Sequence, residues 1–171
     1  MKKIIVTGGS GFIGSNLVEY LLDKKLFVVN IDKLTYSSNN YNIKNKKNYR
    51  FHKIDINDKK KLIKILEKYQ PKAIFNLAAE THVDRSIDNP KNFIYANILG
   101  VYNLIEALRK FSKKYKKKIR LIHISTDEVY GDIKKQKRSD EKSCYNPSSP
   151  YSASKASADH LVKAFVKTFK L

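Results

Sequence analysis

The chain of 171 residues holds a single cysteine, Cys144, so it can close no internal disulfide and cannot by itself build a thiolate metal cluster. No metal site is expected, and a reducing compartment, the cytoplasm, is the expected location. No stretch reaches the roughly 18 consecutive apolar residues of a membrane span, so a soluble chain is expected. The opening Met1-Lys2-Lys3-Ile4-Ile5-Val6 is charged like a signal peptide, yet its apolar run stops at Thr7-Gly8, short of the roughly 7–15 residues such a segment needs. It reads instead as a buried strand. Repeats of solenoid period are absent, and glycine is scarce, with six in all. Lysine is what abounds: 30 of the 35 basic residues are Lys, against 16 acidic ones, for a formal net charge of +19. An excess of that kind fits an anionic partner or a coding bias toward Lys, Asn and Ile, and names no partner by itself. The runs Lys113–Lys118 and Lys134–Arg138 read as solvated surface connections. Apart from Tyr115 they lack interleaved aromatics, so no nucleic-acid partner is expected.

The length fits one domain, and 42% apolar residues suffice for its core. Short runs rich in Ile, Val or Phe at Lys3–Thr7, Phe27–Ile31, Tyr49–Ile54, Ala73–Leu77 and Ile119–Ile124 predict five buried parallel strands. Between and after them, helical spacing runs through Ile13-Leu17-Val18-Leu21-Leu22, Leu62-Ile65-Leu66-Tyr69, Ile94-Ile98-Val101-Leu104-Ile105-Leu108 and Ala153-Ala156-His160-Leu161-Ala164-Phe165. This alternation predicts an α/β fold, a doubly wound parallel sheet with helices on both faces and ligands at the carboxyl ends of the strands. The chain stops at Leu171 on a helical pattern without a C-capping Gly, and a truncated domain is expected there.

Four of the six glycines, Gly8, Gly9, Gly11 and Gly14, fall between the first strand and first helix. The spacing Gly8-x-x-Gly11-x-x-Gly14 permits a tight turn, close approach of backbone to a pyrophosphate and close packing of helix on strand, with the helix N-terminus aimed at the phosphates. Asp32 ends the second strand at the distance where a carboxylate accepts hydrogen bonds from an adenosine ribose, which favours NAD over NADP. A strand-to-helix turn without a ligand is the bland alternative. Together these features predict a Rossmann-like dinucleotide-binding domain.

Tyr151 and Lys155, four apart at the start of the last helix, share one face of it. A neighbouring ammonium, helped by a cationic nicotinamide, can lower a tyrosine pKa from its usual value near 10, allowing acid/base work on a hydroxyl. An exposed helix pair on a Lys-rich surface is the alternative. The fifth strand runs into Ser125-Thr126-Asp127-Glu128-Val129-Tyr130-Gly131, at the carboxyl end of the sheet. A local bend is required for Asp127 and Glu128 both to face a ligand, one as acid and one as base, an arrangement suited to eliminating water. Thr126 or Asp127 can equally serve as a helix N-cap there.

These residues resemble the extended short-chain dehydrogenase/reductases and, within them, the dTDP-glucose 4,6-dehydratases. The resemblance is carried by Val6-Thr7-Gly8-Gly9-Ser10-Gly11-Phe12-Ile13-Gly14-Ser15, Asp32-Lys33-Leu34-Thr35-Tyr36, Leu77-Ala78-Ala79-Glu80-Thr81-His82-Val83-Asp84-Arg85-Ser86, Ile124 to Asp132, and Ser148 to Ala156. It implies that Tyr151, supported by Lys155, deprotonates the glucose 4-hydroxyl while hydride passes to NAD. It implies further that Glu128 removes the C5 proton and Asp127 protonates the departing C6 hydroxyl, and that Thr126 and Thr81 contact the sugar. For the cofactor it implies Phe12 and Ile13 at the pyrophosphate, Asp32, Leu34 and Thr35 near the ribose, Asp55 and Ile56 near adenine, and Leu77, Ala78 and Ala79 along the dinucleotide. Ala96 departs from the family, which frequently has a threonine there. Members are about twice as long, so the resemblance implies that the substrate domain lies outside residues 1–171 and that the segment alone lacks full activity. It also implies a homodimer through the Tyr-Lys helix and the helix at Lys91–Lys114.

Two other readings compete. A nucleotide-sugar 4-epimerase or decarboxylase of the same superfamily shares NAD, Tyr151 and Lys155 but typically lacks the Asp127-Glu128 pair. A non-catalytic dinucleotide- or nucleic-acid-binding module is suggested by charge alone and leaves the catalytic set unexplained.

Overall fold

The β-branched and aromatic runs form five parallel strands: β1 (Lys3–Thr7), β2 (Phe27–Asp32), β3 (Tyr49–Lys53), β4 (Ala73–Asn76) and β5 (Arg120–His123). The structure, a computed structural model, describes residues 1–38, 47–132 and 138–171. Most of the Lys134–Arg138 run therefore lies outside the described residues, whereas Lys113–Lys118 closes a helix and leaves it, with its lysines exposed. The strand order is β3-β2-β1-β4-β5. The chain moves outward from β1 to β3, then returns to lay β4 on the other side of β1, so the direction of winding reverses between β1 and β4. At such a switch point the connections diverge and leave a crevice beyond the strand ends.

The helices are α1 (Phe12–Asp23), α2 (Lys59–Tyr69), α3 (Val83–Asp88), α4 (Pro90–Phe93), α5 (Gly100–Tyr115) and α6 (Pro150–Phe169). A π-helical stretch, Ile94–Leu99, joins α4 to α5, and a 3-10 turn, Asp127–Tyr130, follows β5. The two-residue period of β1 sends alternate side chains to opposite faces. Ile4 and Val6 meet Val18, Leu21 and Leu22 of α1, while Ile5 joins Leu62, Leu66, Leu104 and Phe111 of α2 and α5. Helices thus cover both faces, as the alternation of elements predicts. α6 lies against α5 through Ala158, Val101 and Ile105, which bury fully.

Local chemistry sets the helix ends. Asp58 caps α2 by accepting from the Lys61 amide at 3.0 Å, and Gln70 closes it in the left-handed region. Ser149 and Ser152 form a reciprocal capping box at the start of α6, with Pro150 in the first turn. The expected boundaries shift modestly: β2 gains Asp32, and the helix expected over 94–108 begins as a π-helical stretch and continues to Tyr115. α3 and α4, short and mostly polar outside Phe93, carry no periodic signal long enough to read.

Candidate functional site

At the switch point lies a cavity of about 850 Å³ whose walls come from the ends of all five strands. The turn after β1 forms its floor. Gly8 has φ +71, and a Cβ there would lie 2.6 Å from the Ala78 amide; at Gly14 it would lie 2.0 Å from the Gly8 carbonyl oxygen. Both positions need glycine because backbone meets backbone. Gly11 differs: a Cβ there meets only the Gly8 carbonyl, at 3.4 Å, so protein contacts do not demand glycine where it lines the cavity. Gly11, Phe12, Ile13 and Gly14 line the cavity at the start of α1, which has no side-chain cap and no acid in its first turn. First-turn amides lack intrahelical acceptors and the helix dipole is positive there, which favours an anion. Phe12 and Ile13 are 74% and 64% exposed, large apolar side chains left beside this wall.

Asp32 is buried and fixed from two sides, accepting from the Ser10 amide at 3.0 Å and the Leu34 amide at 2.8 Å. Leu34 adopts φ +59 to make that bond and is not part of the lining, unlike Thr35. Asp55 is oriented by the Asn57 amide at 2.8 Å and lines the cavity with Ile56. Leu77, Ala78 and Ala79 form the wall beyond β4, and Thr81 follows. Ala96 also lines the cavity, from the π-helical stretch, and offers no hydroxyl.

The opposite wall holds Thr126, Asp127, Tyr151 and Lys155. The bend required after β5 is the 3-10 turn. Thr126 caps it by accepting from the Glu128 amide at 3.3 Å, so the capping reading and a place in the site hold together. Asp127 reaches the cavity; Glu128 is exposed and outside its lining, although its negative charge acts on Tyr151. Tyr151 and Lys155 are both buried. Burial pushes the Tyr151 phenol above its ordinary pKa, Glu128 and Asp127 push the same way, and the Thr126 hydroxyl pulls against them as a hydrogen-bond partner. The Lys155 ammonium donates to the Ile124 carbonyl at 2.5 Å, and burial pulls its own pKa down.

Sequence reasoning missed the groups that hold α6 in place. The Ser86 hydroxyl accepts from the Tyr151 amide at 3.1 Å. Asn97, buried in the π-helical stretch, accepts from the Glu80 amide at 2.9 Å and donates to the Glu80 carbonyl at 2.9 Å and the Ser154 hydroxyl at 2.8 Å. The insertion that makes a π-helix turns a side chain out of the ordinary helical stripe, and here that side chain staples α6 to the exit of β4. A polar residue interrupting the apolar pattern at 97 was the available signal.

Comparison with known proteins agrees with this geometry. The family model for GDP-mannose 4,6-dehydratase matches residues 5–171. A dTDP-glucose 4,6-dehydratase of Haemophilus influenzae is 48% identical over 180 residues, covering 100% of this chain and 53% of the relative. The chain thus spans about half the length of the curated relatives it matches. Among solved structures, a dTDP-glucose 4,6-dehydratase of Streptomyces venezuelae with NAD bound superimposes with a TM-score of 0.89 at 36% identity, over 99% of this chain and 53% of its own. A UDP-glucose 4-epimerase of Thermus thermophilus, also in complex with NAD, gives 0.89 at 32% identity, over 99% and 52%.

Removing the Asn97 staple tests its structural weight. Asn97→Ala removes both bonds to the partly buried Glu80 backbone and the bond to Ser154, and a loss of about 1–3 kcal/mol in urea unfolding is expected; a loss under about 0.5 kcal/mol contradicts the assignment.

Proposed function

The chain belongs to the GDP-mannose 4,6-dehydratase family, and from that premise we propose that residues 1–171 are the NAD-binding Rossmann domain of a nucleotide-sugar 4,6-dehydratase acting on dTDP-glucose. The observation that carries this reading is a single cavity that joins the glycine turn, Asp32 and the α1 N-terminus to Thr126, Asp127, Tyr151 and Lys155. The fit to a dinucleotide rests on Gly11, where open space and not protein contact accounts for the missing side chain. Gly8, Gly11, Phe12, Ile13 and Gly14 hold the pyrophosphate, Asp32 and Thr35 the ribose, Asp55 and Ile56 the adenine, and Leu77 to Ala79 the length of the molecule. Leu34 contributes through its amide, which orients Asp32. NAD, when bound, supplies the acceptor and later the donor of a hydride, with a cationic ring that favours a phenolate.

Tyr151 takes the proton of the sugar 4-hydroxyl while Thr126 hydrogen-bonds the same oxygen and Thr81 contacts the sugar. Lys155 adds the positive field that a buried phenol needs, because the chain's own carboxylates oppose ionisation. Glu128 removes the C5 proton and Asp127 donates to the leaving C6 hydroxyl, the 3-10 turn having brought only Asp127 into the lining so far. The epimerase and dehydratase structures superimpose equally well, so the fold does not separate these activities. The Asp127-Glu128 pair favours dehydration. We further assign the location to the cytoplasm. Among the described residues no helix is long and apolar enough to cross a membrane.

Tyr102 on α5 and Val166 and Phe169 on α6 are exposed, an apolar strip that suits a homodimer through these two helices. Light scattering should give the mass of two chains, and a monomer at every concentration removes this assignment. Calorimetry on the 171-residue chain should detect NAD, with affinity about tenfold or more weaker in Asp32→Ala from loss of a charged acceptor; a folded chain that ignores NAD, or a variant that binds it equally, defeats the cofactor reading. In a full-length protein carrying this segment, Asp127→Asn with Glu128→Gln should still reduce NAD transiently while releasing little 4-keto-6-deoxy product. Normal turnover by that double variant removes the roles given to the pair.

A further inference from the structure

One buried carboxylate stands against the site without a part in the chemistry above. Asp159 lies one helical turn beyond Lys155 and two beyond Tyr151, on the same face of α6, and is 7% exposed. Its Oδ2 accepts from the Ser125 hydroxyl at 2.5 Å and from the Tyr145 hydroxyl at 3.0 Å, while its Oδ1 faces His123 Nε2 at 3.4 Å. His123 Nδ1 is 3.0 Å from the Asn76 side-chain amide, and Asn76 accepts from the Thr7 hydroxyl at 2.5 Å. A polar chain therefore crosses the carboxyl ends of β1, β4 and β5 and ends on one carboxylate of α6. A charge this buried is costly unless hydrogen-bonded, and its partners come from segments far apart in sequence.

We propose that Asp159 is a positioning residue for the Tyr151–Lys155 pair: it ties the strand end that carries Thr126 and Asp127 to the helix that carries the pair, and it keeps a negative charge one turn from the Lys155 ammonium. The inference rests on the acid/base reading of that pair. Two observations support it. Ser125, one of the bonded donors, immediately precedes Thr126 and follows Ile124, whose carbonyl holds Lys155. Burial of Lys155 disfavours its charged form and Asp159 opposes that loss. Burial of Asp159 favours its neutral acid, but the His123 ring that faces it and the hydrogen bonds from Ser125 and Tyr145 outweigh burial and hold the carboxyl below the usual carboxylate range. The cost falls on Tyr145, whose phenol is pushed up to about 12 by burial and by Asp159. Among the described residues, the other titratable groups that line the cavity with Lys155 are Asp32, Asp55, Glu80, His82, Asp127 and Tyr151, while the Glu128 charge acts on Tyr151 and His123 faces Asp159. Lys33 faces the same cavity and pairs with Glu80 at 3.5 Å. Outside this circle, Lys163 donates to the Tyr145 hydroxyl at 3.4 Å and lies over its ring, and His160 packs against the same ring.

The test reads the protonation of Lys155 directly. The 171-residue chain is acylated with acetic anhydride across pH 6–10, and the Lys155 peptide is quantified by mass spectrometry. In Asp159→Asn the ammonium loses its carboxylate, so the labelling midpoint moves to lower pH and the rate at pH 8 rises by roughly threefold or more, while exposed Lys110 is unchanged. A Lys155 profile that matches the parent chain sinks the proposal. Tyr145→Phe with Ser125→Ala removes two hydrogen bonds that keep the buried carboxyl ionised, so the Lys155 midpoint should move to lower pH, in the same direction as in Asp159→Asn. That variant decides the question if Asp159→Asn does not fold, and a Lys155 profile in it that matches the parent chain overturns the proposal. NAD calorimetry on the parent chain separates this inference from the functional reading: a Lys155 response without NAD binding keeps the role of Asp159 and removes the cofactor, and the reverse pattern does the opposite.

Discussion

The approach of Gly8 to Ala78 sets the position of everything else in the cavity. β1 and β4 are neighbours in the sheet, with Thr7 paired to Asn76, and the residues that follow them must part company within two positions. Gly8 manages this with a positive φ, its amide donating to the Ile31 carbonyl at 2.9 Å while its α-carbon passes against the Leu77-Ala78 backbone. A side chain at Gly8 pushes the two strand exits apart, and one at Gly14 pushes α1 off the turn. Either change moves the amides at the start of α1, and those amides are what the floor of the cavity offers to a ligand.

The second constraint is that two elements distant in sequence must meet across that floor. α6 supplies Tyr151 and Lys155, and the end of β5 supplies Thr126 and Asp127. Apolar packing of α6 on α5, through Ala158, Val101 and Ile105, is non-directional and does not by itself set the register. Directional bonds set the register: Ser86 to the Tyr151 amide, Asn97 to Ser154, Lys155 to the Ile124 carbonyl, and Asp159 to Ser125. Each of these is buried or partly buried, where leaving a polar group unpaired costs about 1–3 kcal/mol, so a slip of the helix is penalised at several points at once.

What could be read from the sequence divides along the same line. β1, β2 and the main helices carry their burial in a local period, and Ile4, Ile5 and Val6 or Leu62, Ile65 and Leu66 announce their faces within a few residues. The glycine turn and Asp32 were legible because the motif packs its chemistry into a short window. The π-helical stretch was not, because one inserted residue changes the hydrogen-bond pattern without changing the apolar spacing seen in a short window. Asn97, Ser86 and Asp159 were not singled out for a different reason. Their partners lie 57, 65 and 34 positions away, and no local pattern records a hydrogen bond of that span. For Asp159 a partial signal existed, since a carboxylate four residues after Lys155 had to share its helix face.

The charge of the chain bears on the same cavity in an unexpected sense. With a formal net charge of +19, a site for a phosphate-bearing ligand could be thought to draw on the lysine excess. Among the described residues the lining says otherwise, for it contains Asp32, Asp55, Glu80 and Asp127 against Lys33 and Lys155, and Lys33 is engaged with Glu80 at 3.5 Å. Side-chain charge from the described residues of the cavity is therefore net negative, and attraction of an anion falls to the backbone amides at the start of α1. The Lys-rich end of α5 and the segment after it are exposed, and at surface sites salt screens such charges within about 8–10 Å. The lysines contribute to the general positive field of the molecule, whereas the phosphate preference proposed for the site rests on three glycines and the direction of one helix.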